Sequence, residues 1–237
     1  MYSLVSDPLV SVIVPVLNGD RFLDQALQSI FNQSYRNFEI ILVDGNSTDD
    51  TKAIAISYPE INYICQTNQG IANAHNIGIE AAKGEFIAFL SHDDLWTTDK
   101  LTTQINNLLE HAHLQYTIAR VKFFLEAGHS IPKGFRPNLL EGDHIAYGLE
   151  SLVVRKDLFQ IVGNFSSEFS IAIDVDWYAR AKDSQVEMSI INKVLLHKRI
   201  HNSNTSLNIE VNNQNLLKLL SHSIKRKRDI KLNEFLS

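Results

Sequence analysis

The sequence predicts an α/β fold, with a doubly wound and mostly parallel sheet that carries helices on both faces. Four short apolar runs alternate with helical patterns over about 110 residues, which is the order of strand–helix repeats in parallel sheets. The first run is nearly continuous and rich in β-branched residues, as expected for a strand covered on both faces. At 237 residues the chain is long enough for one large domain, with little left for a second.

The elements of the first half follow in a regular order. Apolar runs predict strands over 10–16, 38–43, 61–65 and 86–90. Apolar residues at helical spacing predict helices around 22–30, over 71–82 and around 101–109. Ser47, with Asp50 three residues later, resembles a helix-capping arrangement and predicts that another helix begins there.

The second half is less regular. The pattern predicts strands over 116–125 and 186–196, a helix over 175–181, and a loop with glycine and proline over 131–148. We find no linker, internal repeat or low-complexity segment, so a single domain over 1–237 is expected.

Composition excludes several classes of protein. The formal net charge of -5 argues against a nucleic-acid partner, since such proteins normally carry a dominant basic face. Cys65 is the single cysteine, so an intramolecular disulfide is impossible, and its place in an apolar run predicts a buried core thiol. The N-terminus has no signal-peptide pattern, and no run approaches the roughly 20 apolar residues that span a bilayer. We therefore expect a soluble, cytoplasmic protein.

The C-terminal segment 207–237 is predicted to be a helix followed by a basic tail. Two interpretations stay open: a solvated helix end whose cations favour the negative end of the helix dipole, or peripheral contact with anionic lipid at the inner face of the membrane. The cations concerned are Lys225, Arg226, Lys227, Arg228 and Lys231.

Acidic residues follow two of the predicted strands. Asp44 comes after the second strand, and Asp93 and Asp94 come after the fourth. Ligands of open parallel sheets bind beyond the carboxyl ends of the strands. A lone aspartate there is usually a turn or cap residue, but two such positions favour a nucleotide with a divalent cation. The glycine-rich dinucleotide and P-loop motifs are both absent from the sequence.

Three segments carry a resemblance to a known family. The segments 10–19, 38–51 and 84–94 resemble, in order and spacing, the inverting family 2 glycosyltransferases with the GT-A fold. The similarity extends from about Pro8 to Ser206. The Val43-Asp44-Gly45 form, with 70–71 and 76–78, is similar to members that build bacterial surface polysaccharides.

The resemblance implies a role for each matching residue. Asp93 would be the metal-binding carboxylate of the D-x-D element, in which Ser91 replaces the first Asp and His92 stands in the middle. Asp174 would be the catalytic base, with Ile173 in place of the usual Glu, whereas Asp176 is expected to be structural and Trp177 to serve packing. The donor would contact Pro15, Val16, Asn18, Asp44, Asp93, Arg199 and His201, and the metal would contact Asp93, Asp94 and His201. His75 replaces a frequent arginine.

The implied activity is metal-dependent, inverting transfer from a nucleoside-diphosphate sugar to an acceptor hydroxyl. The cofactor would be Mn²⁺ or Mg²⁺, the donor a UDP-sugar by default, and the acceptor a saccharide or lipid-linked saccharide. About 8–113 would form the nucleotide-sugar-binding half and about 114–206 the acceptor-binding half. A non-catalytic nucleotide-binding relative stays open as an alternative. A nucleotidyltransferase is less favoured, because Arg21 is the one basic residue in the loop 15–21.

Overall fold

A computed structural model of the chain describes residues 7–67, 70–126, 128–169, 172–207, 218–219, 221–226 and 228. The strands in these ranges form one nine-stranded sheet. They are β1 (Val10–Val16), β2 (Phe38–Asp44), β3 (Ile61–Cys65), β4 (Phe86–Phe89), β5 (Leu95–Trp96), β6 (Tyr116–Leu125), β7 (His144–Ile145), β8 (Val153–Arg155) and β9 (Met188–Ile200). The helices are α1 (Leu23–Phe31), α2 (Thr51–Ile56), α3 (Ile71–Ala81), α4 (Lys100–Glu110), α5 (Leu158–Val162) and α6 (Ile173–Asp183).

The first half of the sheet is parallel, as predicted. The order β3-β2-β1-β4 is hydrogen-bonded throughout with parallel pairing. The register of β1 and β2 pairs Val16 with Asp44, so the loops that follow these strands leave the same edge of the sheet. This edge is where ligands of parallel sheets bind.

Helices cover both faces of the sheet, which confirms the predicted layers. Because side chains alternate along a strand, β1 contributes Val12 to one apolar cluster and Ile13 to the other. The first cluster includes Leu27 of α1 and Ile105 of α4. The second includes Trp177 of α6, which is fully buried, as its predicted packing role requires.

The second half of the sheet joins distant parts of the chain. β8 pairs antiparallel with β4 and β6, and β6 runs parallel to β9 over ten residue pairs. β9 continues to Ile200, beyond the predicted end at 196. The short strand β5 pairs with it, Leu95 opposite His197. This pairing brings the segment 91–94 next to the end of β9.

Two local predictions are wrong. Cys65 is exposed, because β3 is the outermost strand of the parallel half and its side chains lack a neighbouring strand on one side. Ser47 does not cap α2: its hydroxyl donates to Asp44 Oδ1 at 2.6 Å. The backbone N–H of Thr51 instead donates to Asp49 Oδ1 at 3.1 Å.

The C-terminal segment is described in part, and Lys227 and Lys231 lie outside the described residues. Arg226 is not a free cation, because its Nε donates to Asp183 Oδ2 at 3.1 Å and its guanidinium lies 3.6 Å from Asp176. Lys225 is exposed. No helix in the described part of the chain is long and apolar enough to cross a membrane.

Candidate active site

A cavity of about 590 Å³ lies beyond the end of β4, between α3, the start of α6 and the end of β9. Its volume is within the range of ligand pockets. One part of the wall is apolar, with Val121, Phe123 and Phe135 among its residues. Polar groups line another part: Ser91, Asp93, Glu150, Asp174, Lys198 and Asn204.

Asp93 and His201 form a hydrogen-bonded pair at this cavity. Oδ2 of Asp93 lies 2.9 Å from Nε2 of His201, and the amide of Asn204 donates to the same oxygen at 3.2 Å. The His201 ring packs on Phe22, with ring centroids 4.9 Å apart. Burial alone would raise the pKa of Asp93, but the hydrogen bond from His201 and the nearby charges of His92 and Lys198 lower it to about 2. Asp93 is therefore ionised at neutral pH.

Asp94, unlike Asp93, does not line the cavity and has no exposed surface. Its Oδ2 accepts a hydrogen bond from Lys198 Nζ at 3.0 Å, and its Oδ1 accepts one from the Arg199 backbone N–H at 2.9 Å. This geometry disagrees with the prediction that Asp94 is a metal ligand, because both oxygens already have protein partners. Its carboxylate instead joins the segment after β4 to β9.

Arg199 also differs from the prediction of a diphosphate contact. Its side chain is 2% exposed and lies between the rings of Phe22 and Phe124, at 4.5 and 4.9 Å. The guanidinium donates to the Asp93 carbonyl at 2.9 Å and pairs with Glu126. Arg199 therefore supports the backbone that carries Asp93.

The predicted nucleoside-binding residues lie at the ends of β1 and β2, outside the cavity wall. Pro15 and Val16 are buried, so an accessible ligand would meet their backbone. Asn18 has a left-handed backbone with φ 51, and its N–H donates to Ser47 Oγ at 2.8 Å. Asp44 is 1% exposed and accepts hydrogen bonds from the Ser47 hydroxyl at 2.6 Å and the Tyr63 hydroxyl at 2.7 Å. These bonds fix the two loops to each other.

Asp174 lies in the first turn of α6 and lines the cavity. Its Oδ1 accepts a hydrogen bond from the Val175 N–H at 2.8 Å. Burial, followed by the negative charge of Glu150, raises the pKa of Asp174 to about 6. A carboxylate with this pKa is mostly ionised at pH 7, yet it is a stronger base than an ordinary aspartate. Asp176 faces elsewhere and pairs with Arg180 at 2.8 Å, which fits the structural role expected for it.

Sequence reasoning missed three charged residues of the cavity, Arg136, Glu150 and Lys198. Oε1 of Glu150 accepts hydrogen bonds from Ser91 Oγ at 2.7 Å and from Lys198 Nζ at 3.1 Å. A signal for Lys198 existed: Leu196, Lys198 and Ile200 alternate along β9 and all line the cavity. Because the predicted strand ended at 196, the alternation from 196 to 200 was not recognised. Glu150 follows the irregular segment 131–148 and had no such signal.

His75, at the position where the family often has an arginine, is a packed residue of the cavity wall. It is 6% exposed, and its ring lies against Phe89 and Phe165, with ring centroids 5.4 Å away in both cases. Burial lowers the pKa of His75, so the ring is neutral at pH 7. It therefore brings no positive charge to the site.

The donor set suits a divalent cation that shares its ligands with a substrate. Among the described residues, no group of three or more His, Cys, Asp or Glu side chains could hold a metal ion. Asp93 nevertheless offers a carboxylate at the cavity. Nε2 of His201 faces that carboxylate at 2.9 Å and Nδ1 faces Ser203 Oγ at 2.9 Å, so His201 would join an ion only by exchanging one of these hydrogen bonds for it. Mg²⁺ is usually bound through one or two carboxylates together with substrate phosphates and water, and imidazole is a ligand of several transition metals. Asp93, with His201 beside it, therefore fits an ion whose coordination the nucleotide completes.

The architecture is that of the GT-A glycosyltransferases, as two solved structures show. The mannosyltransferase PcManGT from Pyrobaculum calidifontis, in complex with GDP-Man and Mn²⁺, superposes with a TM-score of 0.70 at 20% identity and covers 93% of this chain. Residues 1–349 of TarS from S. aureus, in complex with UDP, give 0.68 at 23% identity over 91% of this chain. The chain spans 65% of each solved chain.

Sequence comparison identifies the family. Residues 11–167 match the model of glycosyl transferase family 2. An uncharacterised glycosyltransferase of Rickettsia typhi is 33% identical over 217 residues, which are 85% of this chain and 68% of that protein. Chondroitin synthase of Escherichia coli is 24% identical over 229 residues, 92% of this chain and 33% of the synthase. The chain belongs to glycosyl transferase family 2. Asp174, Lys198 and His201 lie beyond the residues that the family model matches.

Proposed function

We propose that this protein is an inverting glycosyltransferase that moves a sugar from a nucleoside-diphosphate sugar to an acceptor hydroxyl. The observation that carries the proposal is the meeting of Asp93, hydrogen-bonded to His201, with Asp174 in one cavity. The first pair suits the diphosphate end of a donor, and the second site suits proton removal from an acceptor. UDP is the default nucleotide, and the relatives that bind UDP or GDP-Man support a nucleotide-sugar donor.

The leaving diphosphate would lie at Asp93 and His201, which would hold Mn²⁺ or Mg²⁺ together with phosphate oxygens. A bound divalent ion stabilises the charge that develops on a leaving phosphate oxygen. The chain positions Asp93 in two ways: Arg199 Nε donates to its carbonyl and Asn204 donates to its carboxylate. The loops that carry Asn18 and Asp44 would hold the nucleoside at the neighbouring strand ends.

Asp174 would take the proton of the acceptor hydroxyl as the new bond forms. A correctly placed general base typically contributes about 10²–10⁴-fold to the rate, and the pKa of about 6 matches that task at neutral pH. A single base without an enzyme nucleophile implies one displacement, hence inversion. The anomeric configuration of the product, determined by NMR, tests this point, and retention would refute it.

The acceptor is proposed to be a saccharide or lipid-linked saccharide in bacterial polysaccharide synthesis. Two relatives support this: the chondroitin synthase, and the putative teichuronic acid biosynthesis glycosyltransferase TuaG of Bacillus subtilis, 37% identical over 110 residues. These residues are 44% of each chain. Peripheral membrane contact through the basic tail belongs to the same proposal. Neutral substitutions over 225–228 should weaken binding to anionic vesicles, and unchanged binding would remove the membrane from the proposal.

Calorimetric titration tests the donor site directly. UDP, GDP, dTDP and CDP are titrated with and without Mn²⁺ into the wild type and into Asp93→Ala, with Asp24→Ala on the exposed face of α1 as the control. We expect metal-dependent binding of one nucleotide that Asp93→Ala loses and Asp24→Ala keeps. Binding that ignores both metal and Asp93 would show that the metal site is misassigned. No binding under any condition would favour the non-catalytic relative.

A further inference from the structure

Glu150 and Lys198 form an ion pair in the wall of the cavity that the proposed function does not use. The side chain of Lys198 is 23% exposed and that of Glu150 is 15% exposed. The ammonium lies 3.1 Å from Glu150 Oε1 and 3.0 Å from Asp94 Oδ2. Because removing charges from water costs free energy that their attraction often only balances, such a pair is weak evidence for a role in stability. Its position in the cavity calls for another explanation.

The charges of the pair act on the two carboxyl groups of the proposed reaction, those of Asp93 and Asp174. The positive charge of Lys198 lowers the pKa of both carboxyls. The negative charge of Glu150 acts on Asp174 in the opposite sense and raises its pKa. All four side chains line the same cavity. Lys198 and Glu150 therefore belong to the wall that joins the diphosphate end of the site to its base.

A single displacement places the transferred sugar against this wall. The anomeric carbon must lie in line between the leaving phosphate oxygen and the attacking hydroxyl. With the phosphate at Asp93 and the hydroxyl at Asp174, the sugar ring occupies the space between them. The ring then lies beside Glu150 and Lys198.

The pair also has hydrogen-bonding capacity to offer. An ammonium carries three donors, and Lys198 directs them to two partners among the described residues. In the same part of the chain, side-chain hydrogen bonds reach the Glu150 carboxylate at Oε1. Oε2 lies over Gly148, where a Cβ would come within 2.6 Å of it. One donor of Lys198 is thus left for a ligand, and Glu150 keeps acceptor capacity, because a carboxylate can accept about four hydrogen bonds.

We propose that Glu150 and Lys198 bind the sugar that is transferred, and that they select a sugar with two neighbouring hydroxyl groups. Glu150 accepts a hydrogen bond from one hydroxyl, and Lys198 donates one to the adjacent hydroxyl oxygen. This inference rests on the proposed function, since it needs the diphosphate at Asp93 and the acceptor at Asp174. It assigns donor-sugar specificity to two residues that the resemblance to the family did not assign.

The test compares binding of a nucleotide sugar with binding of the bare nucleotide. UDP, UDP-glucose, UDP-N-acetylglucosamine, GDP and GDP-mannose are titrated with Mn²⁺ into wild type, Glu150→Gln and Lys198→Met. Lys193→Met is the matched control, because Lys193 lies on the same strand and pairs with Asp99 at the surface, 56% exposed. Hydrogen bonds to charged groups contribute enough that losing one costs about 10–100-fold in affinity. We expect the nucleotide-sugar Kd to rise by about that factor relative to the nucleotide Kd in both variants, and to stay unchanged in the control.

Glu150→Gln decides the test even if Lys198→Met fails to fold. Lys198→Met leaves the buried carboxylate of Asp94 without its ammonium, whereas the glutamine amide keeps the shape of Glu150 and a carbonyl oxygen for Ser91 and Lys198. An unchanged ratio of the two Kd values in Glu150→Gln would overturn the inference alone. Equal weakening of nucleotide and nucleotide sugar in Lys198→Met would also overturn it, because Lys198 would then bind the diphosphate. A wild type that binds no nucleotide would instead refute the proposed function.

Discussion

Replacing Asp174 with asparagine should inactivate the protein and stabilise it at the same time. In the folded protein burial and Glu150 raise the pKa of Asp174 from 3.8 to about 6. The folded state therefore binds this proton more tightly than the unfolded state does. The stabilisation from protonation is fully present below about pH 4 and is lost as the pH rises through about 6. At pH 7 the ionised Asp174 thus lowers the free energy of unfolding.

The size of this penalty follows from the two pKa values. A shift of one unit corresponds to about 1.4 kcal/mol, so the shift from 3.8 to about 6 corresponds to about 3 kcal/mol as an upper value. The asparagine would keep the shape of the side chain and an oxygen for the Val175 N–H, but it cannot ionise. We expect Asp174→Asn to raise Tm by several degrees at pH 7, since about 1 kcal/mol shifts Tm by about 2–4 °C in a domain of this size. The transfer rate should fall about 10²–10⁴-fold.

Paired thermal unfolding of wild type and Asp174→Asn from pH 4 to pH 8 measures the effect, because groups that lie away from Asp174 titrate equally in both proteins. The difference in Tm should be near zero at pH 4 and reach its maximum above pH 6. Asp176→Asn is the control on the same helix, and it should destabilise the protein because it breaks the buried pair with Arg180. The explanation would be refuted if Asp174→Asn had a lower Tm than wild type at pH 7, or if the difference in Tm were the same at every pH. Wild-type kcat should fall as the pH drops below about 6, since the base is then protonated.

Three further predictions concern packing and exposure. Arg199→Met should lower the free energy of unfolding by more than about 2 kcal/mol, because it removes the donor to the Asp93 carbonyl and the ion pair of the buried guanidinium with Glu126. Chemical denaturation measures this, and a neutral effect would contradict the supporting role of Arg199. Gly78→Ala should cost about 1–3 kcal/mol through overpacking, because its Cβ would lie 2.4 Å from Ile13 Cγ2; a gain in Tm would show that α3 moves aside freely. Cys65 is exposed and should react with a thiol reagent in the native protein, whereas protection until denaturation would indicate a buried thiol.

Local patterns were sufficient for the parallel half of the fold. The β-branched run of β1 and the helical spacing in α1 are properties of short segments, and the structure has both elements at the predicted places. The error at Cys65 has a physical reason: an apolar run shows that a strand is covered, but not whether it lies inside the sheet or at its edge. The order of strands depends on contacts between residues far apart in the chain, which periodicity does not report.

The resemblance named residue types for the candidate site, but it did not give the orientation of their side chains. Asp93 and Asp174 line the cavity and His201 is hydrogen-bonded to Asp93, while the roles that the resemblance gave them stay predictions. Arg199 and Lys198 show what the resemblance could not supply. They are neighbours on β9, and because a strand turns successive side chains to opposite faces, one lines the cavity and the other packs behind it.

Because side chains alternate along β9, the charges of Arg199 and Lys198 lie on opposite faces of the strand. Behind the strand, the Arg199 guanidinium is enclosed by aromatic rings and donates to the Asp93 backbone carbonyl. It therefore positions Asp93 while leaving the Asp93 carboxylate available to a metal ion or substrate. In front of the strand, Lys198 stands among Asp94, Glu150 and the cavity, so its charge acts on the groups that would meet the donor. A shift of one residue in the register of β9 against β5 would exchange these two roles. The pairing of Leu95 with His197, and not the presence of two cations in the sequence, therefore determines which of them can take part in the chemistry.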